Sequence, residues 1–195
     1  MNRPNEITAR RWRSLDWRDP KTDLINLGKI QLQLAESTGI TPKVADLRER
    51  ELRKYLEWRQ AALFAYFVSY AVVGEPIAYV LIEDEDYDAV IWRKSGKRNL
   101  YTPVQLKEVV PRDLNPKAEV NAELAKLTKY VTSEDTVVAV HLNQSGRFEF
   151  HDIKAPDTSC KEIWLYGAQT ADQSKWLLYG DILNNPKPYD IRYPT

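Results

Sequence analysis

Apolar positions recur along this chain with two different periods, and the change from one to the other divides it into helical and strand-forming parts. In residues 22–37, Leu24, Leu27, Ile30 and Leu34 lie at helical spacing and Gly39 follows as a stop, which predicts a first helix. Thr41-Pro42 opens a second, longer helix, because Thr suits an N-cap and Pro the first turn, and this helix is expected to reach Val73 and end at Gly74. Leu52, Tyr55, Leu56, Leu63, Tyr66, Phe67 and Tyr70 form an apolar band about 120° wide on its wheel. Arg48 and Arg59 fall inside that band. Each therefore snorkels outward or pairs with a buried acid, and snorkelling is the favoured expectation.

Beyond Pro76 the period becomes two. Residues 77–82 and 89–92 predict strands separated by an acidic run, Lys94-Ser95-Gly96-Lys97 a turn, and residues 100–110 the returning strand. Pro111 and Pro116 break the chain before a helix over 118–131, and residues 137–142 and 148–153 predict strands joined by the turn Asn143-Gln144-Ser145-Gly146. Residues 162–169 and 175–182 complete the pattern as a C-terminal β-hairpin. The order predicts an α+β (α/β) fold: N-terminal helices, a three-stranded antiparallel meander, a crossover helix, and further strands. Residues 1–41 form an arm and helix, and residues 42–195 a single α+β domain.

Length and composition narrow the function. At 195 residues the chain holds one domain with an extension. The single Cys160 can close no internal disulfide and has no cysteine companions for zinc, which suits a reducing cytoplasmic compartment. The longest apolar stretch, residues 61–73, falls short of the roughly 20 residues needed to span a bilayer, and the first thirty residues lack an export pattern, so a soluble protein without a membrane partner is expected. Twenty-eight basic residues balance twenty-eight acidic ones, which argues against a simple, strongly basic nucleic-acid binder. The charge is nevertheless segregated. An acidic run at residues 83–88 is followed closely by Arg93, Lys94, Lys97 and Arg98. The Arg-rich N-terminal arm carries Trp12 and Trp17, which either dock on the core or leave the arm to contact phosphates.

Candidate chemistry lies in the meander. If the strands flanking the basic turn pair as a hairpin, partner numbers sum to about 192 or 193. In the second register Asp88 faces Gln105 and Asp86 faces Lys107 on one polar face, while Ala89, Ile91, Val104 and Leu106 line the other. Phosphodiester hydrolysis needs a hard cation, for which carboxylate and carboxamide oxygens are suitable ligands, and an ammonium group can orient water or stabilise charge at phosphorus. Asp88-Ala89-Val90-Ile91 followed by Val104-Gln105-Leu106-Lys107, after a long helix, resembles the PD-(D/E)XK nuclease superfamily in its Gln-x-Lys variant, over about residues 42–142. The resemblance implies a metal-dependent nuclease acting on nucleic acid, with Asp88 and Gln105 binding magnesium or manganese and Lys107 assisting catalysis. It also implies a glutamate from the first core helix. Glu51, flanking the apolar band, is the expected one, and Glu57 points largely away. Arg93, Lys94, Lys97 and Arg98, roughly 25 Å from Asp88, would touch a nucleic-acid backbone or simply solvate the hairpin tip. His141 and His151, placed opposite each other across a hairpin with Asp152 nearby, invite a transition-metal reading that lacks a third ligand. The competing functional class is a non-catalytic interaction module, possible in a homo-oligomer, using the aromatic C-terminal hairpin with Trp164, Tyr166, Trp176 and Tyr179.

Overall fold

The computed structural model describes residues 11–82, 84, 86–129, 134–146 and 148–195. Helix α1 spans Pro20–Glu36. It starts two residues before the expected position 22 because the Asp19 side chain caps it, accepting from the Thr22 N–H at 2.6 Å, with Pro20 in the first turn. The expected long second helix is divided. A single turn, α2 (Pro42–Ala45), is followed by a bend in which Leu47 takes a left-handed conformation (φ 59°), then by a 3-10 turn Arg50–Leu52 and by helix α3, Arg53–Val68. The bend buries Leu47 and brings Arg48 onto Glu108 at 2.6 Å, tertiary gains that outweigh helix propensity. A π-turn, Ser69–Val73, closes α3 at Gly74, whose φ of 71° suits glycine.

Seven strands form one mixed sheet in sequential order, β1 to β7. Strands β1 (Ala78–Leu81), β2 (Ala89–Ser95) and β3 (Arg98–Val109) make an antiparallel meander; β4 (Val137–Leu142) and β5 (Glu162–Ala168) run parallel to β3; β6 (Lys175–Gly180) and β7 (Lys187–Arg192) return antiparallel. The fold is therefore α+β, with a parallel centre. The β3–β4 crossover carries helix α4, Val120–Ala125, which continues as a 3-10 turn to Lys129; the expected end at 130–131 lies outside the described residues. The strand expected over 148–153 is instead a 3-10 turn, Phe150–Asp152. Strand β4 pairs with β3 on one side and β5 on the other, so no free edge remains for a hairpin return, and the Phe150 ring stacks on Tyr179 with centroids 4.2 Å apart. Strand β7, not expected from the sequence, is a short polar edge strand containing Pro188, which an edge tolerates.

Two apolar layers sandwich the sheet. On one face α3 packs Leu63, Phe64 and Phe67 against Val104, Leu106, Ala139, Trp164, Tyr166 and Trp176. On the other, Leu124 and Leu127 meet Val109, Val138, Val140, Ile163 and Leu165. Strand β4, covered on both faces, reads Val137-Val138-Ala139-Val140 for that reason. Trp164, Tyr166 and Trp176 lie buried in the chain's own core, so the hairpin does not present them as an interaction surface. Trp12 is buried against Tyr87 and Tyr101, and Trp17 packs on Trp92 and Tyr101, as expected for an arm that docks its tryptophans. No helix among the described residues is long and apolar enough to cross a membrane.

One polar knot ties α1, α3 and β1 together. Asp23 pairs with Arg18 at 2.7 Å and accepts from the Tyr79 hydroxyl at 2.7 Å and the Trp58 indole N–H at 3.0 Å, while the Arg18 guanidinium lies over the Trp58 ring. Burial alone would raise the Asp23 carboxyl, but the bonds from Arg18, Tyr79 and Trp58 hold it below the ordinary range. Its stabilisation is thus present above the ordinary Asp value near 3.9 and is lost as pH falls through the lower folded value. Asp23→Asn is expected to lower stability by about 2 kcal/mol at pH 7. In urea unfolding the gap to wild type should narrow toward pH 3; a gap that widens with acid would contradict this assignment.

Candidate functional site

The carboxyl ends of β1, β3, β4 and β5 lie along one edge of the sheet, together with the start of β2. Asp88 stands just before β2 on that edge. The register that brings it there is set at the far end of the hairpin: Ser95 pairs with Arg98, leaving the two-residue turn Gly96-Lys97, and Gly96 supplies the positive φ (59°) that a type II′ turn requires at its first position. All β2–β3 partners then sum to 193, the second of the two expected registers.

Continuing that register, Asp88 meets Gln105. The Asp88 N–H bonds the Val104 carbonyl at 2.9 Å, its Oδ2 accepts from the Leu106 N–H at 2.7 Å, and Gln105 Nε2 donates to the same oxygen at 2.5 Å. A carboxylate only accepts, so the Gln105 NH2 must face it. Gln105 is buried and Asp88 half-buried, while Lys107 is half-buried two residues further along the same face of β3. Ala89, Ile91, Val104 and Leu106 occupy the opposite, buried face as expected.

Asp88 also borders an open cavity of about 870 Å³ lined by Lys54 and Glu57 from α3 and by Leu81, Ile82, Asp84 and Asp86. Glu57, not Glu51, is the helix-borne acid on this cavity. Glu51 sits exposed in the 3-10 turn, because the bend at Leu47 interrupts the helical phase on which its expected position depended. Glu57 pairs with Arg53 one turn earlier at 3.3 Å. Lys94, Lys97 and Arg98 are exposed and Arg93 half-buried at the distant hairpin tip, well removed from Asp88.

No protein-family model, curated protein or solved structure matches the chain. The chemistry must therefore be judged from the donor set itself. Asp88 offers a charged hard oxygen beside the acids of the cavity, whereas Gln105 turns its NH2 toward that carboxylate and offers Oε1 only if the amide turns over. Oxygen ligands of this type are those magnesium takes, one or two carboxylates with several retained waters. The set lacks the thiolates and imidazoles that zinc prefers, and among the described residues no group of three His, Cys, Asp or Glu side chains is arranged to hold an ion, magnesium included. His141 and His151 do not approach each other as expected: His141 is buried in β4, whereas His151 is 78% exposed and paired with Asp152 at 3.3 Å.

A second polar group on the same edge was missed. Glu108, on the apolar face of β3, binds Arg48 and accepts from Asn143 Nδ2 at 2.8 Å. Arg48 thus pairs with an acid instead of snorkelling. Arg59 is buried; it donates to Gln173 Oε1 at 2.6 Å and lies over the Trp176 ring. The signal was available, because Arg48 and Glu108 each interrupt an apolar face and carry opposite charge. His141 stacks on Tyr166 with ring centroids 5.0 Å apart. Burial, reinforced by the charges of Arg59 and Arg48, pushes its imidazole down to about 3. The native ring therefore stays neutral while an unfolded chain protonates near 6.5, and this residue removes stability as pH falls from about 6.5 toward 3. Imidazole nitrogen shifts at pH 5 should report a neutral His141; an imidazolium signal at that pH would contradict the burial argument.

Proposed function

We propose that the chain is a metal-dependent, PD-(D/E)XK-like nuclease that hydrolyses phosphodiester bonds in nucleic acid. The observation that carries this reading is the contact of Asp88 with both the Gln105 amide and the Leu106 N–H, at the mouth of an acidic cavity. The succession of α3, the antiparallel strands β1 to β3, α4 and the parallel strand β4 supports it, being the core order expected from the Gln-x-Lys resemblance.

Asp88 and Gln105 would hold magnesium or manganese, with Glu57 contributing negative charge from α3. When bound, the cation lowers the pKa of a water ligand and polarises the phosphate. The Leu106 N–H keeps the Asp88 carboxylate in one orientation, so little reorganisation is required of it. Gln105 currently donates to Asp88, and presenting Oε1 to a cation requires its amide to turn over. Lys107, on the same strand face, is suited to orient the attacking water or to stabilise charge gathering on the phosphoryl oxygens. Acids outnumber the single Lys54 around the cavity, so a phosphate backbone is repelled until a cation is present. Burial of Trp164, Tyr166 and Trp176 leaves the interaction-module reading only Tyr179, half-buried, of its four aromatics.

Calorimetric titration with magnesium or manganese, paired with cleavage of single- and double-stranded DNA and RNA, tests the proposal. Wild type is expected to bind and cut. Asp88→Ala should bind the ion weakly and lose activity by about 100-fold or more, and Lys107→Ala should retain the ion but cut more slowly. A wild type that neither binds a divalent ion nor cuts would sink the nuclease reading, and wild-type cutting by Lys107→Ala would remove Lys107 from the mechanism.

A further inference from the structure

The α3 side of the sheet, opposite to Gln105 and Lys107, encloses a positive charge without a matching acid. Arg59 projects from α3 into the apolar layer and is 6% exposed. Its guanidinium lies over the Trp176 ring, 5.6 Å from the centroid, and one terminal nitrogen donates to Gln173 Oε1 at 2.6 Å, while Nε is buried without a hydrogen-bond partner. Among the described residues no carboxylate pairs with it. Acids on the surrounding segments are engaged elsewhere: Glu108 holds Arg48 and Asn143, Asp172 accepts from Ser174, and Asp190 accepts from Gln169. A buried cation ordinarily requires a paired anion, because its lost hydration is otherwise uncompensated. An indole face and one carboxamide oxygen offset only part of that penalty.

His141 belongs to the same cluster. Its ring packs on the same indole with centroids 5.7 Å apart, and its Nδ1 is also buried without a partner. Burial, and after it the charges of Arg59 and Arg48, keep this imidazole uncharged. Glu108 matches Arg48, so the surplus charge of the cluster is that of Arg59. The cluster has an entrance. A cavity of about 610 Å³, a volume typical of small-molecule sites, opens at the carboxyl ends of β3, β4 and β5, and His141, Gln173 and Trp176 line it. Gln173, exposed in the β5–β6 loop, reaches from that wall to the guanidinium. A guanidinium suits two-point pairing with a carboxylate or phosphate, and Gln173 supplies one neutral oxygen in that place. We propose that this cavity binds a small molecule through a carboxylate or phosphate group, which displaces Gln173 Oε1 and pairs with Arg59, the His141 and Trp176 rings forming the adjoining wall. The site is separate from Asp88 and does not depend on the nuclease reading.

Inorganic phosphate and acetate, titrated into the full chain without divalent ions, test the proposal against chloride at matched ionic strength. Melting temperature and nitrogen-15 spectra of the Arg59 Nε–H and the His141 imidazole are the readouts. Phosphate or acetate should raise the melting temperature saturably, bind at least about ten-fold tighter than chloride, and move both signals while leaving His151, the other histidine, in place. A stronger response to phosphate assigns a phosphorylated ligand, and a stronger response to acetate a carboxylic acid. Gln173→Glu, an isosteric change at an exposed position, sets a carboxylate at the guanidinium; it should raise the melting temperature by about 2–4 °C without added anion and abolish the response. Gln173→Ala removes the neutral competitor and should bind the preferred anion more tightly than wild type. A response no greater than that to chloride, shifts that leave Arg59 and His141 unmoved, an undiminished response in Gln173→Glu, or binding by Gln173→Ala no tighter than wild type would each overturn the proposal. None of these readouts involves cleavage, so failure here leaves the nuclease reading standing, and failure to cut leaves this site standing.

Discussion

The register of β2 against β3 is the constraint on which the working edge depends. Pairing Ser95 with Arg98 around Gly96-Lys97 carries Asp88 to Gln105 at the other end of the hairpin. A slip of one residue would align Asp88 with Val104 and turn its carboxylate toward the apolar layer under α3. The turn thus determines, from seven residues away, whether this carboxylate lies beside an amide or inside the core. The interlock is mutual. Asp88 takes hydrogen bonds from the next strand through both a side chain and the backbone, which resists slippage at the open end just as Gly96 resists it at the closed end.

From that register the remaining groups fall into a line. The β1–β2 opening offers Glu57, Asp84, Asp86 and Asp88, and β3 sets Gln105 against Asp88 with Lys107 two residues further along the same strand face. Acidic groups gather at the β1–β2 opening, and the ammonium-bearing Lys107 stands next to them on β3. Net charge is zero for the whole chain, yet it describes no part of this edge.

The meander, the crossover and β4 were legible because hydrophobic period and turn residues act locally, and Gly96 together with the apolar faces of residues 89–91 and 104–106 left little freedom in the pairing. What could not be read came from long-range pairing. The bend at Leu47 has no glycine or proline to announce it and is held by Arg48 meeting Glu108, sixty residues away, so the helical phase that selected Glu51 over Glu57 did not extend across it. Residues 148–153 alternate like a strand but have no edge to join. His141 lay in a correctly read strand, while its neutral, buried state arises from Tyr166, Arg59 and Arg48 on three other segments.

The central claim is that Asp88 and Gln105 form the cation-binding point of this edge. Paramagnetic broadening of amide signals by trace manganese tests it most directly, because the effect falls steeply with distance and requires no substrate. The account predicts that Asp88, Gln105 and Leu106 broaden first, Lys107 and Glu57 next, and the Gly96 turn not at all, and that Asp88→Ala abolishes the pattern. Broadening centred on other acids, or unchanged by Asp88→Ala, would contradict it.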